Sequence, residues 1–498
     1  MATLVIHGHF YQPPREDPWT GVVPEQSGAA PFHDWNERVT AECYRPNAWV
    51  EVPGDDGSAQ VVNSFELLSF NVGPTLLSWL EPHHPDVYER IVQADRATGR
   101  AIAQAYGHAI LPLCNDRDLR TQVRWGIADF RHRFGRFPEG MWLPETAVSE
   151  RVLAVLAEEG IRFTILAPPQ IEALRPFPGT EVAWREHGGD HEDAEVGELG
   201  APRRDAEVAT GRAYRWCHPA RPELGVDLVV YDGSLAHALA FGTPSSEAIV
   251  DAAISDASGV AEADGDLVTV ATDGETFGHH HKGAERVVAH ALSVEAPRRG
   301  VRVPRLADEL EKSPPTHQAR VRTSAWSCAH GVGRWMADCG CRTGGDPSWS
   351  QAWREPLRNA LDLLRDWGVE AFERLGVGLL AEPWAARDGY LDVLLGARSW
   401  DAFAAEHIVG DHHRAGVLLD AQRNALLMYT SCGWFFNDLA GIETVQILRY
   451  AARCIDLHQQ LGESPPVDDF LAVLAGAVSN DPAVGDGRRL WFTQVLPR

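Results

Sequence analysis

Acids and histidines recur directly after short apolar runs, where strand ends can gather them into one site. In Val268-Thr269-Val270-Ala271-Thr272-Asp273-Gly274-Glu275-Thr276-Phe277-Gly278-His279-His280-His281, two carboxylates and three consecutive histidines follow a strand-like stretch. Gly140-Met141-Trp142-Leu143-Pro144-Glu145-Thr146 places Glu145 at another apolar end, beside Trp142. Asp232 closes a third such stretch, His108 follows a fourth, and His7-Gly8-His9-Phe10-Tyr11-Gln12 ends the first. A solvated turn accounts for Asp-Gly but not for the whole set. Carboxylates in apolar surroundings are rare unless paired or functional.

Two chemistries suit these residues. Paired carboxylates can flank a glycosidic bond, one ionised as nucleophile and the other raised in pKa as general acid. Alternatively, His7, His9, Asp273 and the histidine run can hold a zinc ion whose bound water attacks a substrate. Spacing alone leaves both open.

The elements that must position these groups are also readable. Apolar stretches at Leu4–His7, Ala103–Tyr106, Gly140–Leu143, Arg162–Leu166, Val226–Tyr231 and Leu267–Ala271 alternate with amphipathic segments, which predicts βα units and a parallel sheet. Leu119, Val123, Ile127, Phe130 and Phe134 recur at helical spacing before the stop signal Gly135, and a second helix is predicted over Val148–Glu159. Residues 187–205, rich in Gly, Asp, Glu and His, read as an acidic loop insertion. The alternation ends between residues 300 and 325, and helical patterns follow at Pro356–Trp367, Arg414–Met428 and Ile442–His458. The expected organisation is therefore a catalytic α/β domain over residues 1–310 and a helical domain over 311–498.

Composition narrows the partners. With 45 basic against 70 acidic residues, a net charge of −25, and no Lys/Arg-rich stripe, neither nucleic acid nor an anionic membrane is an expected partner. The first residues lack a signal peptide's basic and apolar regions, and no apolar run is long enough to span a bilayer, so a cytoplasmic protein is expected. Among the 17 Trp most should be core, although an indole face can stack on a sugar ring.

Several segments, taken together, resemble glycoside hydrolase family 57. Gly107-His108-Ala109-Ile110-Leu111-Pro112-Leu113, the helix after it, and Phe134 through Glu145 are similar to the family's second and third regions in order and spacing. Asp273-Gly274-Glu275-Thr276-Phe277-Gly278-His279 is similar to its fourth, and Tyr231-Asp232-Gly233-Ser234-Leu235 resembles a segment that approaches substrate. The first region usually reads His-x-His-Gln-Pro; aligning Gln12-Pro13 puts His9 at the first histidine and Tyr11 at the second. Thr430 through Asp438 resembles the aromatic fifth region, with Gly433 where Asp is more usual.

The resemblance implies a distorted (β/α)7-type barrel followed by an all-helical domain that contributes an aromatic patch to the cleft. It implies α-glucan substrates and a retaining double displacement without metal, with Glu145 as nucleophile and Asp273 as general acid and base. Their carboxyls should then lie about 5–5.5 Å apart. The implied sugar contacts are His7, His9, Tyr11, Gln12, His108, Trp142, Asp232, Glu275, His279, His280, His330, Trp434 and Phe435. An oligo- or polysaccharide is the expected partner, and no cofactor is expected. The alternatives are a metal-dependent carbohydrate hydrolase of the α-mannosidase or deacetylase type and a non-catalytic glycan-binding protein.

One cluster lies outside that account. Cys328-Ala329-His330 and Cys339-Gly340-Cys341 hold four soft ligands within a short stretch, at spacings tighter than the usual zinc pair. Reduced, buried thiols with His330 lining the sugar cleft is one reading. A structural zinc at Cys328, His330, Cys339 and Cys341 is the other.

Overall fold

A computed structural model describes residues 2–53, 58–177, 184–186, 208–259 and 267–496. The acidic insertion expected at 187–205 lies outside the described residues. The strands that matter here are β1 (Thr3–Phe10), β2 (Ser69–Val72), β3 (Ala103–Gln104), β4 (Met141–Trp142), β5 (Phe163–Leu166), β6 (Ile171–Pro176), β7 (Ala213–Cys217), β8 (Gly225–Val230), β9 (Leu267–Asp273) and β10 (His317–Val321).

Seven of them form a ring of parallel neighbours. β9 pairs with β1 and β1 with β2. The bridge Phe70↔Ala101 leads to β3, which pairs with β4, and the bridge Gly140↔Phe163 leads to β5. β5 pairs with β8, and the Asp232 N–H just beyond β8 donates to the Thr269 carbonyl of β9 at 2.7 Å, which closes the ring. β1 is buried along its whole length, as a strand covered on both faces must be. The seven-stranded (β/α) barrel is thus present in distorted form. β7, β10 and β6 extend the β5–β8 edge as a further sheet containing antiparallel pairs.

Helices α1 (Asp116–Phe134), α2 (Glu150–Glu158) and α3 (Gly233–Phe241) follow β3, β4 and β8. Each has a physical start: Asn115 accepts from the Asp118 N–H at 2.8 Å at the head of α1, Ser149 caps α2 by accepting from the Val152 N–H, and Asp232 caps α3 by accepting from the Leu235 N–H at 2.7 Å. On α1 the predicted stripe Leu119, Val123, Ile127, Phe130 and Phe134 is buried throughout.

The chain divides into two compact units that are not contiguous in sequence. The first comprises residues 1–12, 25–104 and 133–327, and the second 13–24, 105–132 and 328–498. This differs from a single cut near residue 310. Within the second unit, Gln446 donates to the Glu16 carbonyl at 2.8 Å and Trp19 Nε1 to Asp456 at 3.1 Å, which ties segment 13–24 to its helices. The buried ion pair Arg387–Asp118 at 2.7 Å ties in segment 105–132. The second unit is otherwise helical, led by α4 (Arg354–Leu379), α5 (His412–Leu427) and α6 (Ile442–Gln460). Leu357, Leu361, Leu418, Leu419, Ile447 and Leu448 are its fully buried core. No described helix is long and apolar enough to cross a membrane.

Candidate active site

Alternation along the strands decides which side chains meet at the barrel's C-terminal end. His9 is the register partner of both Asn71 and Asp273, and Gln104 that of Trp142, so Asp273, His9, Asn71, Gln104 and Trp142 follow one another across β9, β1, β2, β3 and β4. Hydrogen bonds link the layer: Asn71 Nδ2 donates to His9 Nδ1 at 2.9 Å and to Gln104 Oε1 at 2.8 Å. One step deeper, His7 meets Ser69 Oγ at 2.9 Å and Asn71 Oδ1 at 3.0 Å. Trp142 stacks on His7 and on His9, with ring centroids 4.9 Å apart in both cases.

Burial pushes the pKa of both His7 and His9 down to about 3, so both rings are neutral hydrogen-bonding groups near neutral pH. Among the described residues, His7, His9, Asp273 and the 279–281 run do not gather their ligand atoms around a common point.

Glu145 follows β4 by three residues and sits at φ 59°, ψ 23°; Thr146 has φ 49°. Two consecutive left-handed residues other than glycine cost on the order of 1–3 kcal/mol each and persist only where their surroundings hold them. Here the Trp326 N–H donates to the Glu145 carbonyl at 3.0 Å and to Thr146 Oγ1 at 3.1 Å. The Glu145 carboxylate is held through Oε2, which accepts from Trp326 Nε1 at 3.1 Å and from Ser327 Oγ at 2.6 Å. Trp326 also meets Trp142 edge-on at 5.1 Å.

Asp273, the last residue of β9, is set differently. Its side chain is exposed to solvent, although protein atoms crowd around the carboxyl. Burial is the largest cause raising its pKa from 3.8 to about 7, and the negative charge of Glu145 is the second. Glu275, two residues on, is buried and accepts from Tyr44 Oη at 2.6 Å and from the Tyr11 N–H at 2.9 Å. Burial first, and Asp273 after the opposing Tyr44 bond, push Glu275 up to about 8. Tyr231 also borders Asp273, and burial and that carboxylate push its phenol above the usual range.

The other expected contacts separate into accessible and inaccessible groups. Gln12, His279 and Phe435 are partly exposed, and His280 and His330 are exposed. His279 bonds Glu42 at 2.5 Å. His7, Trp142, His108 and Trp434 are buried, each with no more than 1% of its surface exposed. His7 and Trp142 brace His9 from within. His108, at φ 52°, bonds Ser431 Oγ at 2.6 Å inside the second unit. Trp434 donates to the Arg354 carbonyl at 3.2 Å and stacks on Tyr429, which makes it core. A Cβ on its neighbour Gly433 would lie 2.4 Å from Ile447 Cδ1, so the Asp usual at that position does not fit. Asp232 is partly exposed but committed to capping α3.

Sequence reasoning missed Asn71, Gln104, Tyr44, Trp326 and Ser327. Ser69-Phe70-Asn71-Val72 alternates polar and apolar, a signal for Asn71. Nothing near Trp326-Ser327 marks it as the partner of a residue some 180 positions earlier.

Comparison with known proteins identifies the family. A family model described as "Glycosyl hydrolase family 57" matches residues 19–293, and a "Domain of unknown function (DUF3536)" matches 349–498. Over 92 residues, 18% of this chain, the sequence is 30% identical to alpha-amylase 1 of Dictyoglomus thermophilum, spanning 13% of that protein's length. The fold is similar to an exo-type maltose-forming amylase from Pyrococcus sp. ST04 (TM-score 0.68, 14% identity, 95% of this chain and 82% of that one). It is also similar to a branching enzyme from Pyrococcus horikoshii (TM-score 0.55, 14% identity, 96% and 94%).

Proposed function

From the premise that this chain belongs to glycoside hydrolase family 57, we propose that it is an α-glucan-active retaining enzyme, a hydrolase or transglycosylase working through a glycosyl-enzyme intermediate. The observation that carries the reading is the unequal pair: Glu145 oriented by two donors, and Asp273 raised to about 7 by burial and by the charge of Glu145. Two carboxyls whose environments differ in this way divide into nucleophile and acid.

In the first step Glu145 Oε attacks the anomeric carbon while protonated Asp273 gives its proton to the leaving oxygen. In the second, ionised Asp273 takes a proton from water or from an acceptor hydroxyl, which displaces Glu145. His9, neutral and accepting from Asn71 at Nδ1, carries its proton on Nε2 and can donate a hydrogen bond to a sugar hydroxyl without adding charge to the site. A neutral polysaccharide also suits a chain of net charge −25 with no basic stripe.

The test is incubation with maltooligosaccharides, resolving products by length and anomeric configuration. Retained configuration is expected. Shorter sugars alone identify a hydrolase, and longer or branched ones a transferase. Inverted products, or no turnover on any α-glucan, overturn the proposal.

A further inference from the structure

The stretch 328–341 in the second unit has no regular structure beyond the single 3-10 turn Gly333–Trp335. Irregular segments of this length in a compact protein need something to hold them. Its side chains converge. Cys328 Sγ lies 3.9 Å from Cys339 Sγ and 3.8 Å from Cys341 Sγ, and Cys341 Sγ lies 3.5 Å from His330 Nδ1. All four ligand atoms fall within 4.8 Å of one another, and none of the three cysteines is in a disulfide.

These separations have a chemical meaning. A tetrahedral zinc with Zn–S of about 2.3 Å and Zn–N of about 2.05 Å sets S···S edges at about 3.8 Å and S···N edges at about 3.5 Å. Packing contact alone can bring two sulfurs to such a distance; what distinguishes this group is three sulfurs and an imidazole nitrogen all within 4.8 Å of one another.

Two further features point the same way. The Arg334 N–H points at Cys328 Sγ at 3.4 Å, the kind of backbone bond that supports a metal thiolate. The guanidiniums of Arg334 and Arg354 are buried, and neither has a carboxylate partner among the described residues. Arg354 instead interacts electrostatically with Cys339, Cys341 and Cys328, and Arg334 Nε and Nη1 have no hydrogen-bond partner among the described residues. Buried cations call for a counter-charge. Gly333 fits against the cluster, where a Cβ would lie 3.1 Å from the Cβ of Cys339.

We propose that Cys328, His330, Cys339 and Cys341 form a closed, structural zinc site in the helical unit. On binding, Zn2+ displaces three thiol protons to solvent, and three thiolates with one neutral imidazole leave the site at net −1, the charge that Arg354 lacks. Four protein ligands leave no open position for catalysis. The ion staples the loop to the segment carrying Phe435: Arg354 donates to the Cys341 carbonyl at 2.8 Å and to the Phe435 and Phe436 carbonyls at 3.4 and 3.3 Å, and Arg334 lies 4.4 Å over the Phe435 ring. The inference is independent of the glycosidase reading.

The full-length protein, prepared without chelator, tests it by metal analysis, thiol titration and cobalt substitution. One zinc per chain is expected, with three thiols that react only after chelation and a lower melting temperature once zinc is removed. Cobalt should give thiolate charge-transfer absorption and the visible bands of a tetrahedral site. His330→Cys should keep the ion with shifted cobalt bands, and Cys341→Ser should reduce zinc from stoichiometric to trace. If Cys341→Ser does not fold, the exposed His330→Ala serves the same purpose. The proposal is overturned by stoichiometric iron or copper, or by a mass two hydrogens below the free-thiol value, which marks a disulfide. Thiol reactivity unchanged by added zinc in the folded protein also overturns it.

Discussion

The turn after β4 and the end of β9 each deliver one carboxyl, and they do so by opposite means. Glu145 sits on strained backbone, with Trp326 and Ser327 donating to the same oxygen. Asp273 continues a regular strand, and what acts on it is burial and the charge of its neighbour. Under the proposed mechanism, this is how one barrel would hold both a charged attacker and a protonated acid near neutral pH: hydrogen-bond donors orient the first, and that first charge helps to keep the proton on the second.

Removing one side of the comparison has the largest effect. Glu145→Gln keeps the shape and most hydrogen bonds of the side chain but loses the attacking charge, so turnover of maltooligosaccharides should fall below detection while glucan binding by calorimetry survives. Undiminished turnover would remove Glu145 as nucleophile. Asp273→Asn should lower kcat/KM by roughly 10²–10⁴-fold on natural glucans. An aryl glycoside whose leaving group needs no proton should recover most of the first step, which burst kinetics would register.

Weakening the donors is milder. A hydrogen bond to a charged group is worth about 1.5–3 kcal/mol, so Ser327→Ala or Trp326→Phe should each cost on the order of 10–150-fold in kcat/KM. An equal effect on an Asp273→Asn background would show that the donors act through Glu145.

The smallest effect is a shift in titration. As pH rises through about 7 Asp273 loses its proton, and kcat/KM should fall with it. In Glu145→Gln the neighbouring charge is gone and burial remains, so the Asp273 pKa, followed by its infrared carboxyl band, should drop without returning to 3.8. An unchanged value would separate the two groups electrostatically. Stability has a related sign: the raised pKa of Glu275 contributes stability below its ordinary value of 4.5 that is lost as pH rises through about 8. Glu275→Gln should therefore flatten the decline of Tm over that interval.

Much of this was legible in the sequence because buried parallel strands carry continuous apolar runs. The stretches ending near His7, Trp142, Val230 and Asp273 marked themselves that way, and the stop signal Gly135 fell just after the last residue of α1. β2 and β10 escaped notice because Ser69-Phe70-Asn71-Val72 and His317-Gln318-Ala319-Arg320-Val321 turn polar residues inward or sit partly exposed, so neither reads as apolar.

Within the candidate site, the acids and histidines were visible and the residues that hold them were not. Trp326 and Ser327 reach Glu145 only through folding of distant chain. Aromatic residues were the least informative, since the same indole that could stack on sugar is buried in Trp142 beneath two histidines and in Trp434 beside Tyr429. The two-unit partition was hidden for a similar reason: segment 13–24 leaves the barrel strand β1 to bond with α6 more than 400 residues later.

The most direct test of the central claim is to trap the intermediate. A 5-fluoroglucosyl fluoride, whose fluorine slows the second step more than the first, followed by peptic digestion and mass spectrometry, reports which carboxylate carries the sugar. A single glucosyl ester on the peptide containing Glu145 is expected; an ester on Asp273, or turnover with inversion and no ester, would remove Glu145 as nucleophile.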